Sequence, residues 1–310
     1  FTILNPAQLP TGQVVDFQVG EKIDPTYVYN RLTGANNWNN LATWIQQRTG
    51  VITLTNGSGT ITGASTTFAT ELTVGDKIML ITDPATTYTI TSIGPGETLT
   101  VGPGDQALST SGGYGRQYIP GINSPTSDVD AVVIGNNNIA DAATTITLDI
   151  DAKILTLDVG STARTTAQVL THQNASMDLI VLANANVNQP GGNATNAWNI
   201  NAGTADVAGD VTIGSAANNT VTRISRINIS TGTLSAGNLK FRPFASAGRE
   251  VQAVLALSGA GTVNLHGALT FNGNRGTLST VAGSTFNFDR SASAQTIAVP
   301  SSSTAAWVYA

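Results

Sequence analysis

The sequence predicts an all-β chain: a small β barrel or sandwich module, then an elongated β-solenoid-like or β-sandwich domain, with one short N-terminal helix. Three observations predict it. From Asp130 to the C-terminal region, short Thr/Val/Ile/Leu segments with alternating apolar and polar positions follow one another, as in TTITLDI (144–150) and TLSTVAGSTFNF (277–288). Gly, Asn and Asp punctuate them, and these residues tolerate the backbone of tight corners. Only 11% of the 310 residues are charged while 41% are hydrophobic, so the outward faces must be dressed with Thr, Ser and Asn. That dress suits exposed strand positions. It also suits a surface covered by identical neighbours, since few charges mean little desolvation cost.

Residues 1–48 read as an arm followed by an amphipathic helix, a unit for attachment and assembly. The arm, residues 1–20, holds two prolines and the extended segment VVDFQV. It is either an ordinary first strand or a strand to be donated to another subunit's sheet edge. The helix is expected over 24–48, with Asp24 as N-cap and Pro25 at the first position. Val28, Leu32, Ala35, Trp38, Leu41 and Ile45 form its apolar stripe.

Residues 49–105 read as the small β module. VITLTNGSGTITG alternates across Asn56-Gly57, a strong hairpin signal. DKIMLIT (76–82), TTYTITSI (86–93) and TLTV (98–101) supply the further strands, separated by turns at Pro84 and Gly94-Pro95-Gly96. The Gly/Ser/Pro-rich residues 106–128 read as a linker or long loop anchored by Tyr114 and Tyr118. Residues 129–310 form the elongated domain. Its strands are expected at 131–135, 144–150, 153–160, 177–185, 210–214, 222–230, 238–244, 250–259, 262–273 and 285–288, with no fixed repeat period.

Two resemblances bear on function. The order GVITLTNGSGTITGASTTF, GDKIMLI, TYTITSI, ETLTV resembles a small β module of bacteriophage tail, fibre and head-appendage proteins. It carries no catalytic residues to transfer. WNNLATW (38–44), with PTSDVDAVVIGNN and TITLDIDAKILTLDVGSTA further on, is similar to the opening of secreted bacterial β-helix surface proteins. That second resemblance implies that residues 49–120 are inserted into the first coil of a solenoid.

Chemistry is sparse. The net charge of −5 and the lack of a Lys/Arg cluster exclude nucleic acid as an expected partner. The chain has no cysteine and no apolar run of membrane-spanning length. It opens on Phe1 without a signal-like segment, which leaves a removed leader and a missing start both open. His172 and His266 lie far apart and read as structural. Asp128 and Asp130, and likewise Asp149 and Asp151, flank one residue each, so each pair would share a strand face. Such pairs could hold Ca²⁺ or cleave a glycoside, but further ligands and an aromatic sugar platform are not evident. They read as solvated strand or turn acids. The N-x-S/T matches at Asn56, Asn174, Asn193, Asn218 and Asn228 are those expected in an Asn- and Thr-rich chain.

The expectation is therefore a non-enzymatic structural subunit of an extracellular particle, a virion fibre, tail or head-appendage protein without catalytic residues or cofactors. Its expected partners are copies of itself, commonly as trimers, and other structural proteins of the particle; cell-surface glycans are a further candidate. The alternative is a secreted prokaryotic surface protein that polymerises into a filament or sheath by N-terminal strand donation. A polysaccharide-degrading β-helix enzyme comes third.

Overall fold

The computed structural model describes residues 26–102, 106, 109–122, 130–135, 140–215, 220–244, 246 and 248–288. The expected arm, Asp24, Pro25 and Asp128 lie outside them. The architecture is almost entirely β, with a small barrel-like sheet and a solenoid-like stretch, as the sequence predicts.

The solenoid has three faces. The first carries β1 (Thr26–Asn30), β9 (Asp130–Ile134), β12 (Thr156–Val159), β15 (Ala185–Val187), the ends of β17 (Thr204–Ile213) and β19 (Thr233–Phe241), and β22 (Leu269–Phe271). The second carries β11 (Ala152–Ile154), β14 (Asp178–Val181), the starts of β17 and β19, β21 (Thr262–Leu265) and β24 (Thr285–Phe288). The third is a seven-stranded sheet of β2 (Gly34–Asn37), β10 (Thr144–Leu148), β13 (Gln168–His172), β16 (Thr195–Ile200), β18 (Ile224–Ile229), β20 (Ala253–Leu257) and β23 (Thr277–Ser279). Pairing from rung to rung is parallel throughout these faces.

Register explains why this sequence stacks. One inward position of the third face is Ile146, Leu170, Trp198, Ile227, Leu255 and Leu278 in successive rungs. The first five of these side chains are fully buried. The first face contributes Val132, Leu157, Ala185, Val211, Leu239 and Leu269 at an equivalent position, all buried as well. Each row is thus a continuous apolar column, and the period-2 alternation of every strand keeps it facing inward.

The corner from the first face to the third is made by Gly135, Gly160 and Gly214, at φ of +91°, +81° and +91°. Here the first inward residue of the third face is polar: Thr144, Gln168, Asn196 and Ser225 are all buried. Gly160 lies directly against the Asn196 carboxamide, so a Cβ would displace it. The corner from the second face to the first is held by an Asx ladder. Asn184 Oδ1 accepts from the Asp210 N–H (2.9 Å), Asp210 Oδ1 from Asn238 Nδ2 (2.8 Å), and Asn238 Oδ1 from the Ala268 N–H (2.7 Å).

A six-stranded antiparallel ring interrupts the first rung. It runs β3 (Trp44–Leu54), β4 (Thr60–Ala64), β7 (Thr98–Gly102), β6 (Asp83–Ile93), β5 (Lys77–Leu80), β8 (Thr110–Gln117) and back to β3. Ile52, Ile61, Phe68, Ile78, Ile90, Leu99 and Tyr114 fill it. Because β1 pairs with β9 on one side and antiparallel with β3 on the other, the ring extends the first face past its first rung.

Three expectations need correction. The stretch expected as a helix over 24–48 is extended from Thr26: β1, β2, a single 3-10 turn at Leu41–Thr43, and the start of β3. Of the supposed stripe, Val28, Trp38 and Ile45 are buried, whereas Ala35 and Leu41 are exposed. Gly34 at φ +80° and the Asn run make a poor helix, while β1 and β2 gain full ladders from β9 and β10; tertiary pairing overrides weak local propensity. The one α-helix among the described residues is α1 (Phe68–Glu71), inside the ring. Lastly, Thr110–Gln117, expected within the linker, is the strand that closes the ring, so the module spans 44–117.

Candidate functional site

Of the acids singled out from the sequence, Asp130, Asp149 and Asp151 are described, and each accepts from a backbone N–H. Asp149 and Asp151 do not share a strand face; they sit in the turn between β10 and β11 and reach opposite ways. Asp149 Oδ1 accepts from the Asn39 N–H of the first rung (2.8 Å), and Asp151 Oδ1 from the Asp178 N–H that opens β14 (2.9 Å). Each therefore fastens a corner to its neighbour. Asp130 is 1% exposed, and its Oδ2 accepts from the Gly121 N–H at 2.9 Å. Among the described residues no three or more His, Asp or Glu side chains stand together as a metal site.

Asp130 belongs to a polar network where ring and solenoid meet. Gln46 Nε2 donates to Asp130 Oδ1 (3.5 Å), while Gln46 Oε1 accepts from Arg116 Nε (3.1 Å) and from Arg48. Arg116 continues to Asp76, with Nη1 and Oδ2 3.3 Å apart. Beside it the Tyr114 hydroxyl donates to Glu71 Oε2 (3.4 Å), and burial together with that carboxylate raises the phenol pKa. Two tryptophans brace the same junction. Trp38 Nε1 donates to Pro120 O (3.0 Å), Trp44 Nε1 to Trp38 O (2.8 Å), and the rings meet edge to face at 4.8 Å. This arrangement locks two units together.

The histidines are separate and structural in position. His172 is fully buried in the solenoid core, and burial lowers its pKa to about 4. His266 is exposed at the corner between β21 and β22. Of the sequon asparagines, Asn228 lies in an outward amide ladder, its Nδ2 donating to Asn199 Oδ1 at 2.7 Å. Asn174 and Asn193 hold neighbouring turns through Ser176 and Thr222.

The first face carries a group that sequence reading overlooked. Tyr27 and Tyr29 point outward from β1 with parallel rings, 6.1 Å between centroids and 6° between planes, and Tyr27 is 47% exposed. Tyr29 donates its hydroxyl to Gln47 Oε1 at 3.1 Å. Following the register from Tyr29, the outward column continues through Val133, Asp158, Asn186, Thr212, Lys240 and Thr270. Asp158 Oδ1 accepts from both Asn186 Nδ2 (3.0 Å) and Asn188 Nδ2 (3.1 Å). A shallow open depression of about 320 Å³ lies there, lined by Val133, Asp158, Gly160, Ser161, Thr162 and Asn188. The signal was the i, i+2 spacing of the tyrosines in TYVYN, which puts both on one strand face, and the helical reading hid it.

No protein-family model matches the chain, and no curated protein matches it.

Proposed function

We propose that the chain is a non-enzymatic structural subunit of an extracellular particle, most simply a fibre, tail or head-appendage protein of a virion. The observation that supports this reading is the use made of the acids. Asp149 and Asp151 spend carboxylate oxygens on backbone N–H groups of the neighbouring rung, and Asp130 on the Gly121 N–H at the junction of ring and solenoid. Their chemistry is thereby invested in the frame. The outward Thr/Asn columns and low charge add a surface that copies of the chain can cover at small desolvation cost. In this reading the ring and the first rung form the attachment end and the solenoid projects. Negative-stain imaging of the purified full chain tests it: closed particles of one length are expected, and dispersed monomers would contradict it.

One observation favours a second reading, a surface protein that polymerises by strand donation. Among the described residues β2 pairs with β10 alone, which leaves its other edge for an added strand. The segment VVDFQV (14–19) is the donor in that reading. It predicts open filaments that disappear when residues 1–20 are deleted; filaments that persist would exclude donation by the arm.

A further inference from the structure

We propose that the outward strip of the first face, from Tyr27 and Tyr29 to Asn186 and Asn188, binds a neutral polysaccharide lying along the solenoid axis. Three features of the strip meet the demands of such a ligand.

A pyranose ring has an apolar face of C–H groups and an equatorial rim of hydroxyls. The C–H face lies favourably on the electron-rich face of an aromatic ring. Tyr27 offers such a face, half exposed, and the stacking with Tyr29 and the Tyr29–Gln47 hydrogen bond hold both rings upright. Ordering them before the ligand arrives lowers the entropic cost of binding. Val133 continues the apolar surface in the next rung, at the edge of the depression.

The hydroxyl rim needs paired donors and acceptors. Asp158 with Asn186 and Asn188 provides them: one carboxylate oxygen gathers both amides and fixes their orientation, and the amide oxygens remain as acceptors beside it. Ser161 and Thr162 form the wall of the depression on the side of the third face.

Spacing gives the direction. Tyr29, Val133, Asp158 and Asn186 stand in successive rungs, so the strip extends over three rung intervals of about 4.8 Å each, roughly 14 Å in all. A chain of pyranose units running down the axis meets an equivalent outward position at about every unit, as a solenoid presents it and a globular pocket does not. Charge gives the class. The centre of the strip is a carboxylate on a chain of net charge −5, and the nearest cation in the column, Lys240, is paired with Asp210. Uronic acids, sialic acids and sulfated sugars would be repelled; neutral hexose or N-acetylhexosamine polymers would not.

This strip deepens the reading of the chain as a surface particle and rests on it for its biological sense, though not for its chemistry. A printed array of neutral glucans, mannans, galactans and N-acetylhexosamine polymers, with uronic-acid and sulfated polymers beside them, tests it on the fluorescently labelled full chain. Binding to at least one neutral polymer is expected, weakened roughly tenfold or more by Tyr27→Ala and by Asp158→Ala. Both side chains are outward, so the circular dichroism of each variant should match that of the parent. Tyr27→Ala should leave the melting curve in place, while Asp158→Ala, which removes the acceptor of the Asn186 and Asn188 amides, should lower it by only about a few degrees without loss of the folded state. Absence of binding to every neutral polymer, binding confined to the anionic ones, or full binding by both variants would overturn the proposal. None of these outcomes alters the images of the particle, so failure of the site and failure of the structural reading are told apart.

Discussion

His172 Nε2 accepts a hydrogen bond from the Trp198 indole N–H at 2.9 Å, inside the solenoid core and between adjacent rungs of the third face. An accepting Nε2 places the proton of the neutral ring on Nδ1, and Nδ1 has no hydrogen-bond partner among the described residues. Burial, which disfavours the charged ring, lowers the pKa from 6.5 to about 4.

The sign of the resulting pH dependence follows from linkage. Below pH 6.5 the unfolded chain takes up a proton that the folded chain refuses until about pH 4. The stabilisation is therefore complete above pH 6.5 and is lost as pH falls from 6.5 to 4, by about 3 kcal/mol. His172→Gln keeps an acceptor for Trp198 but does not titrate. Denaturant unfolding at pH 7 and pH 4.5 should show a smaller loss for the variant; equal losses would remove His172 as the cause.

Gly160 should be intolerant of a side chain for two reasons at once. Its φ of +81° costs a non-glycine residue about 1–2 kcal/mol. A Cβ also pushes into Asn196, whose Nδ2 otherwise donates to Asn188 O at 2.8 Å. Gly160→Ala is expected to destabilise by about 2–4 kcal/mol. Gly57, at φ +76° with open space around it, is the control, and there only the backbone cost should appear. Thermal unfolding of the two variants separates the contributions.

Asp130 should couple ring to solenoid. Asp130→Ala leaves the Gly121 N–H and the Gln46 amide without this acceptor at a buried junction, a loss of about 2–3 kcal/mol. Hydrogen exchange should show the effect first at the amides of β1 and β3, where the two units share a ladder. Loss of protection confined to the last rungs would contradict this role.

Inward and outward columns should differ sharply. Leu255 is fully buried in a continuous column, and Leu255→Ala is expected to cost about 3–5 kcal/mol. Asn228→Ala removes one link of the outward Asn199 ladder and should cost about 0.5–1.5 kcal/mol. Chemical denaturation of the pair measures the contrast directly.

Much of the architecture was readable because strand alternation and corner residues are local properties. TTITLDI, VITLTNGSGTITG and AVVIG declare themselves through period-2 patterning and the corner residue that accompanies each, Asp151, Asn56-Gly57 and Gly135. The repeat was harder to see. Aligned by register, DLIVLANANV, TADVAGDVTI, TLSAGNLKF and TVNLHGALTF are the same structural segment, and three of the four carry Gly at the corner. The corner is one residue shorter in β19 than in β17, and the other loops vary in length, so no single period fits. QVLTH and TNAWNI escaped notice because their inward positions include Gln168, His172 and Asn196, polar side chains that only the corner and the Trp198 contact accommodate. The first rung was obscured by its interruption: β1 and β2 find their partners more than a hundred residues later, across the inserted ring. The strip of the first face was hidden for the same reason, since Tyr29 and Asp158 become neighbours in one column only through β9.

Self-assembly of the chain is what the proposed role as a particle subunit most directly requires. Sedimentation equilibrium of the purified full chain at micromolar concentration measures that. A single species of a small whole-number multiple of the chain mass, threefold for a trimeric fibre, is the expected result. A monomer that persists across the concentration range would contradict it.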